Sequence, residues 1–459
     1  MEASHHFAEF LTEIKFKDLS PTTVEIVKKE VLDTLATALG GGRSQGVREV
    51  YELVRDWGGK GESSIINFGG KFPSPNAALV NSIMSHSLDY DDTHDMAKIH
   101  PGCVAVPTAF AVAEAESKTS GKDFITAIAA GVDFGCRLGL AAKLAKPNVL
   151  EGGWHNTSLY GYFISAAVAG KLYGLDKAKL INALGVAYHQ AAGNIQCMMD
   201  GALTKRMGAG FSARGGITAA LMAGKGITGA TNILEGEVGL FNLYHAGFDR
   251  HILLDGLGKK FEIEFLSFKP YPCCRLIHSY VDAINKLVVA NDLGPEEVLE
   301  INVPHSDAAL IVCEPWEIKT SPRNVVDAQF SIPWALACAV VRRKVGIQEF
   351  TREAIGDPSL LNMAKKVKPL RDSALPNEVW ARATVEVKTR GGELKIETGY
   401  PLGSPENPLS LEEIEKKLID CASHSLRRLS KKRLKDVAEM VKNLEELEDV
   451  AQVIAEVTE

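Results

Sequence analysis

The segment SHSLDYDDTHDMAKIHPG, residues 85–102, holds Asp89, Asp91, Asp92 and Asp95 together with His86, His94 and His100. Carboxylates and imidazoles cost free energy when buried without partners. Such a cluster between apolar stretches is therefore either a solvated loop or a site. Elsewhere, cationic or histidine side chains fall at expected helix starts. His100 precedes Pro101, ahead of a helix expected from about residue 107. His155 precedes Asn156-Thr157, the expected caps of a helix through Ala169. Lys205 and Arg206 come just before GGITAALMAG, and Lys269 lies ahead of Pro272 and CRLIHSYVDAINKLV. Helix N-termini present unpaired N–H groups and the positive end of the dipole, so these four positions together imply a small polyanion, a carboxylate or a phosphate. His278 and Asp282 stand one turn apart, so the acid is expected to orient the imidazole.

Two metal chemistries compete with that reading. Asp91, Asp92 and Asp95 satisfy the DDxxD spacing by which helical isoprenoid synthases hold magnesium on a diphosphate, and carboxylate oxygens suit that ion. Such an enzyme also needs a second magnesium motif and an aromatic pocket, and neither is visible in a chain with 7% aromatic residues. A histidine site built from His86, His94 and His100 with the aspartates is unsupported by spacing, which does not stack the imidazoles as an i, i+4 pair would. No metal and no cofactor is expected. GAGFSARGG (208–216) has no preceding strand, so its small residues fit helix packing better than a phosphate loop.

The elements that position these residues follow from composition and pattern. With 459 residues, 46% of them hydrophobic and 24% charged, the chain is an ordinary globular protein of more than one domain. A net charge of −7 gives no basic field for nucleic acid. The first twenty residues do not read as a secretory signal, and no segment is expected to supply the ~20 apolar residues that span a bilayer. Of the eight cysteines only Cys273 and Cys274 are close together, which builds neither a zinc site nor a disulfide framework. A reducing, cytoplasmic location without membrane partners is expected, and the glycosylation pattern at Asn156 is read as accidental. RRLSKKRLK (427–435) reads as a solvated helix face.

From about residue 5 to 250 the apolar residues recur at helical spacing, with alanine and glycine abundant enough for close helix packing. Strand signals come later, in KFEIEFLSF (260–268), VLEINVPH (298–305), and the pair ATVEVKT and LKIET around Arg390-Gly391-Gly392. After Pro408 the pattern is helical again. The expectation is a mostly α protein with an α+β second domain. Residues 1–259 and 401–459 form the large helical domain, and 260–400 the smaller α+β lid domain.

SHSLDYDDTH with HPG, GWHNTSLYG, TKRMGAGFSARGGITAALMAGKGITG, KPYPCCRLIHSYVDA, DAQFSIPWALA and YPLGSPENPLS resemble, in order, successive blocks of the MmgE/PrpD family, over about residues 5–455. The resemblance implies a cofactor-free enzyme, usually a homodimer, acting on a small di- or tricarboxylate in a cleft between helical domain and lid. By motif it implies catalytic roles for Asp89, His100, His155 and Lys205, and substrate contacts for Thr93, Arg206, Lys269, His278 and Cys274. His100 or His155 would serve as base and the other as acid, with Lys205 supporting developing negative charge. In the decarboxylase branch a histidine near Cys274 and a tyrosine near Trp334 would be expected, and this sequence does not match that pattern. Elimination of water, as in 2-methylcitrate dehydratase, is therefore the leading expectation. Alternatives are an iminodisuccinate epimerase-like isomerase or a cis-aconitate-like decarboxylase. More distant are the magnesium-dependent isoprenoid synthase through Asp91–Asp95 and a non-enzymatic carboxylate-binding module.

Overall fold

The computed structural model describes residues 2–116, 118–146, 150–375 and 382–458. Apolar side chains gather into two clusters. One runs from Ala3 to Phe268 and takes in Ile347 and Leu409–Val457, and the other runs from Cys273 to Val387.

The helices that carry or support the site are α1 (Pro21–Gly41), α2 (Ser74–His86), α3 (Gly102–Glu116), α4 (Gly121–Ala141), α5 (Asn156–Leu172), α6 (Thr204–Gly224), α7 (His278–Ala290), α8 (Ile332–Arg342) and α9 (Leu411–Ser423). Their starts are written in the sequence. Ser20, with Pro21 behind it, caps α1 by accepting from the Thr23 amide at 2.9 Å, and Ser410 with Glu413 forms a capping box on α9. Helix α3 begins at Gly102 rather than near residue 107, with Pro107 inside it.

Helix α6 packs against α2 and α5 through glycines. A Cβ at Gly210 would stand 2.5 Å from the Leu79 carbonyl oxygen, and one at Gly216 would stand 2.4 Å from Ser165 Cβ and 2.5 Å from the Ala166 amide. GAGFSARGG is thus helix interior, as its small residues suggested. One expectation needs correction. By length and composition, α4 is apolar enough to cross a bilayer. Here it is a buried core helix, in which Arg137 pairs with Asp133 at 2.8 Å and donates to the carbonyls of Asp255 and Lys260.

A two-residue strand β1 (Thr93–His94) pairs antiparallel with β2 (Leu266–Ser267). Besides a two-residue pair, Ser63–Ser64 with Lys71–Phe72, four strands, β3 (Val298–His305), β4 (Val367–Arg371), β5 (Ala383–Thr389) and β6 (Gly392–Thr398), form one sheet in the order β4-β3-β5-β6. Only β3 and β4 run parallel. One strand reading fails and one strand is not read. KFEIEFLSF is mostly a 3-10 turn, Glu262–Phe265, followed by β2, and its acids turn to distant partners, Glu264 accepting from the Ser20 and Thr23 hydroxyls and Glu262 meeting His94 at 3.3 Å. Strand β4 went unread because Pro369 argues against a strand, and the sheet tolerates it by placing β4 at the edge.

The α5–α6 contact has no spare volume. Gly216→Val should lower the denaturation midpoint, with a loss of about 1–3 kcal/mol or more from overpacking. Gly399→Ala, where nothing lies within 4 Å of the added carbon, should leave the midpoint unchanged. Equal midpoints for the two variants in urea titrations would contradict this packing.

Candidate active site

Asp89 occupies the left-handed region at φ 51° although it is not glycine, a conformation that costs on the order of 1–3 kcal/mol. The strain places its buried carboxylate between two ammonium groups. Lys205 Nζ donates to Oδ1, while Lys269 Nζ donates to Oδ2 at 3.3 Å and to the Asp89 carbonyl at 2.9 Å. Burial alone would push the Asp89 carboxyl up, but Lys205 and then Lys269 outweigh it and hold the group well below the usual carboxylate range. Lys269 responds in kind: burial works to lower it, and Asp89 and Asp91 raise it.

A third ammonium secures the backbone of this pair. Lys417, from α9, donates to Asp33 Oδ1 at 2.6 Å, to the Tyr90 carbonyl at 2.6 Å and to the Lys269 carbonyl at 3.0 Å. It thereby ties the residue after Asp89 to Lys269 itself. Nothing in the local sequence around Lys417 marks it for this task.

Three imidazoles stand beside the ion pair. The His86 ring lies 5.1 Å from His100 and 5.7 Å from His155, centroid to centroid. His86 Nδ1 meets Asp91 Oδ2 at 2.7 Å, His100 Nδ1 meets the Asp92 carbonyl at 2.6 Å, and His155 Nδ1 meets Ser158 Oγ at 3.0 Å. Burial lowers all three, with Lys269 acting in the same direction on His100, brought down to about 3, and Lys205 on His155. Neutral imidazoles are the state this environment favours.

The HPG turn is held from both sides. The His100 amide donates to Thr157 Oγ1 at 3.0 Å, and the Gly102 amide donates to Asp92 Oδ1 at 3.1 Å. Glycine is required at 102, since a Cβ there would stand 2.5 Å from Asp92 Oδ1 and 2.9 Å from Glu30 Oε1. Glu30 and Asp92 are both pushed up by burial and by neighbouring carboxylates. The DDxxD acids are dispersed among different partners. Asp91 holds His86, Asp92 holds Gly102, and Asp95 accepts from Arg275 at 3.1 Å and from Ser267 at 2.7 Å. Among the described residues, His86, Asp91 and Cys103 bring donor atoms within 4.8 Å; His86 Nδ1 and Asp91 Oδ2 meet each other and the Cys103 thiol donates to the His100 carbonyl.

His86, Ser87, Asp89, Lys205 and Arg206, on the side of the first cluster, face Val326, Gln329 and Phe330, on the side of the second, across a narrow recess with a free volume of about 10 Å³. Gln329 Nε2 donates across this seam to the Leu88 carbonyl at 2.8 Å, and the Phe330 ring lies 5.5 Å from Lys205 Nζ. Burial lowers Arg206 to about 10.

The sequence-derived candidates sort clearly. Asp89, His100, His155, Lys205, Arg206 and Lys269 come together, although their helix-start rationale holds only in part. His100 and His155 do precede α3 and α5, but Lys205 and Arg206 lie inside the first turn of α6. Lys269 stands after β2, nine residues before α7, and reaches Asp89 by β1–β2 pairing instead. Cys274 sits at the seam, its amide donating to the Gln329 carbonyl at 2.9 Å and its thiol pushed by burial up to about 11. Thr93 is buried in β1. His278 departs from expectation. Its Nε2 meets the Cys273 carbonyl at 3.1 Å, while Asp282 accepts from the Tyr271 hydroxyl and the Leu402 amide, so the acid does not orient it. Sequence reasoning left out Gln329, Phe330 and Lys417, and weighed His86 only as a metal ligand. For His86 the available signal was its five-residue spacing to Asp91.

The MmgE/PrpD N-terminal domain matches residues 5–252 and the MmgE/PrpD C-terminal domain matches residues 271–444. Among curated proteins, cis-aconitate decarboxylase of Aspergillus terreus is 27% identical, with 95% of this chain and 92% of that protein aligned. The Homo sapiens cis-aconitate decarboxylase is also 27% identical, over 96% and 92%, and that of Mus musculus 25%, over 96% and 91%. Both domain matches run in order along most of the length that the two apolar clusters occupy, and the chain belongs to the MmgE/PrpD family.

Proposed function

We propose that this chain is a lyase acting on small di- or tricarboxylates, and within that class a decarboxylase of the cis-aconitate type. The observation that carries the reading is the buried group of Lys205, Lys269 and Arg206 around one carboxylate, Asp89, with three imidazoles at its side. Lys205, Lys269 and Arg206 outnumber Asp89 and Asp91, so the recess favours an anion. The full-length likeness to proteins named cis-aconitate decarboxylase weighs toward loss of CO2 rather than the elimination of water favoured by the sequence.

The chemistry follows from the substrate's own bonds. In cis-aconitate the carboxylate on the methylene carbon is β,γ to the alkene. When its C–C bond breaks, the electron pair becomes a new double bond, and the old alkene pair takes a proton at the far carbon. The protein must hold the two remaining carboxylates, stabilise the charge as it spreads, and supply one proton. Lys205 and Arg206 line the recess and suit the first two tasks, and His86, which lines it too, with His100 and His155 behind it, suits the third. The low polarity of the seam, with Val326 and Phe330 opposite, strengthens each charge interaction.

Dehydration keeps one observation in its favour. At Cys274 a neutral thiol, raised to about 11, stands where a histidine would offer acid–base capacity. A substrate panel separates the two. Incubated with cis-aconitate, 2-methylcitrate and an iminodisuccinate, the protein should release CO2 from the first. Alkene absorbance from 2-methylcitrate without CO2 from any compound would move the assignment to a hydro-lyase, and binding without turnover would leave a carboxylate-binding module. Turnover should persist after exhaustive EDTA treatment, and magnesium-dependent recovery would revive the DDxxD alternative. Lys205→Met should lower kcat by about 10²–10³-fold while its thermal unfolding shows a folded protein, as expected when one preorganised charge partner is removed. Unchanged turnover in that variant would remove Lys205 from the site.

A further inference from the structure

His86 is the least exposed of the three clustered imidazoles, at 1%, and the only one hydrogen-bonded to a carboxylate, while His100 Nδ1 stands 3.9 Å from the same Asp91 oxygen. Its Nδ1 meets Asp91 Oδ2 at 2.7 Å, leaving Nε2 buried without a hydrogen-bond partner among the described residues while the side chain lines the recess beside Asp89 and Lys205. A buried polar atom left open in this way costs free energy unless something occupies it during function. A carboxylate on the far nitrogen fixes the ring and stabilises the doubly protonated form, the arrangement a proton-transfer histidine needs.

We propose that His86, oriented by Asp91, is the residue that delivers the proton to substrate carbon, with His100 recharging it from solvent. The inference rests on the decarboxylase reading given above. Burial keeps His86 neutral, and Lys205 acts in the same sense against Asp91 and Asp89. Of its other neighbours, His100 and His155 offer neutral rings, Cys103 a thiol raised far above neutrality, and Arg206 a further cation lining the same recess. A substrate with several carboxylates reverses this balance by placing anionic charge against the ring, so binding itself loads the proton onto Nε2. As the C–CO2 bond breaks, its electron pair forms the new double bond and the Nε2–H proton passes to the far alkene carbon. His86 becomes neutral, and Asp91 remains a carboxylate throughout. The proton consumed in each turnover returns through His100, 5.1 Å away, whose side chain is 17% exposed and so reaches solvent.

The test uses the full-length protein and three readouts. His86→Asn keeps a donor for Asp91 and deletes the open nitrogen. It should lower kcat for CO2 release from cis-aconitate by about 10²–10⁴-fold, the usual span for a general acid, with a far smaller rise in KM. Binding of tricarballylate, a saturated tricarboxylate that cannot react, should weaken by calorimetry only as far as loss of one charged ring requires, well short of the fall in kcat. Asp91→Asn removes the charge that favours the protonated ring, so the alkaline limb of its kcat–pH profile should move to lower pH. Wild-type kcat in His86→Asn, or an equal loss of kcat and tricarballylate affinity, overturns the role. Should His86→Asn not fold, Asp91→Asn decides, and an unmoved alkaline limb overturns it. If the wild-type protein binds tricarballylate but releases no CO2, the decarboxylase reading fails and takes this inference with it. That outcome is distinct from a wild-type enzyme that turns over and a variant that matches it.

Discussion

One buried carboxylate between two buried ammonium groups sets the terms for the rest of the molecule. Taking Asp89, Lys205 and Lys269 out of water is costly, and only close pairing offsets the cost. The three groups come from a loop after α2, the first turn of α6 and the segment after β2, so their pairing requires these distant parts of the chain to arrive together. The left-handed turn at Asp89, the Lys417 bridge to the Tyr90 and Lys269 carbonyls, and the β1–β2 pairing all serve that convergence. Removing one partner would leave an uncompensated ion where water cannot reach it.

The same burial explains why the imidazoles matter. In water, a cluster of histidines near lysines would titrate independently and weakly. Here the surroundings are apolar enough that each ring's charge state follows its neighbours, and each Nδ1 is committed to a different oxygen: a carboxylate, a carbonyl and a hydroxyl. Chemically identical side chains thereby acquire different tendencies to hold a proton, a difference that acid–base chemistry on an anion can use.

Legibility in the sequence divides by the range of the interaction. Ser20, Ser120 and Ser410 announce their helices because a cap is a contact across three residues. The strands at 298–305 and 383–398 show because alternation is local. His100 and Gly102 are readable from HPG, though the reason for that glycine, the nearness of Glu30, is not. What escaped depends on long-range closure. Lys417 acts at residues more than a hundred positions away, and Gln329 reaches Leu88 from the other apolar cluster. The DDxxD spacing misleads for the same reason, since pattern alone cannot reveal that Asp91, Asp92 and Asp95 each turn to a different partner. His278 was assigned to Asp282 by helical spacing, but a loop amide and a tyrosine hydroxyl had already claimed that acid.

The glycine-lined seam under α6 also bears on how such a site diversifies. Helix α6 carries Lys205 and Arg206, and its inner face at Gly208, Gly210 and Gly216 has no room for even one added carbon. Drift on that side is therefore confined, and a lineage changing its substrate cannot readily enlarge or reshape the recess there. The opposite wall, Val326, Gln329 and Phe330, hangs from a separate core and meets the helical part through few polar contacts. Selection for a longer, shorter or less charged acid has its freedom on that wall, so homologues acting on different acids should differ there while retaining α6 nearly intact.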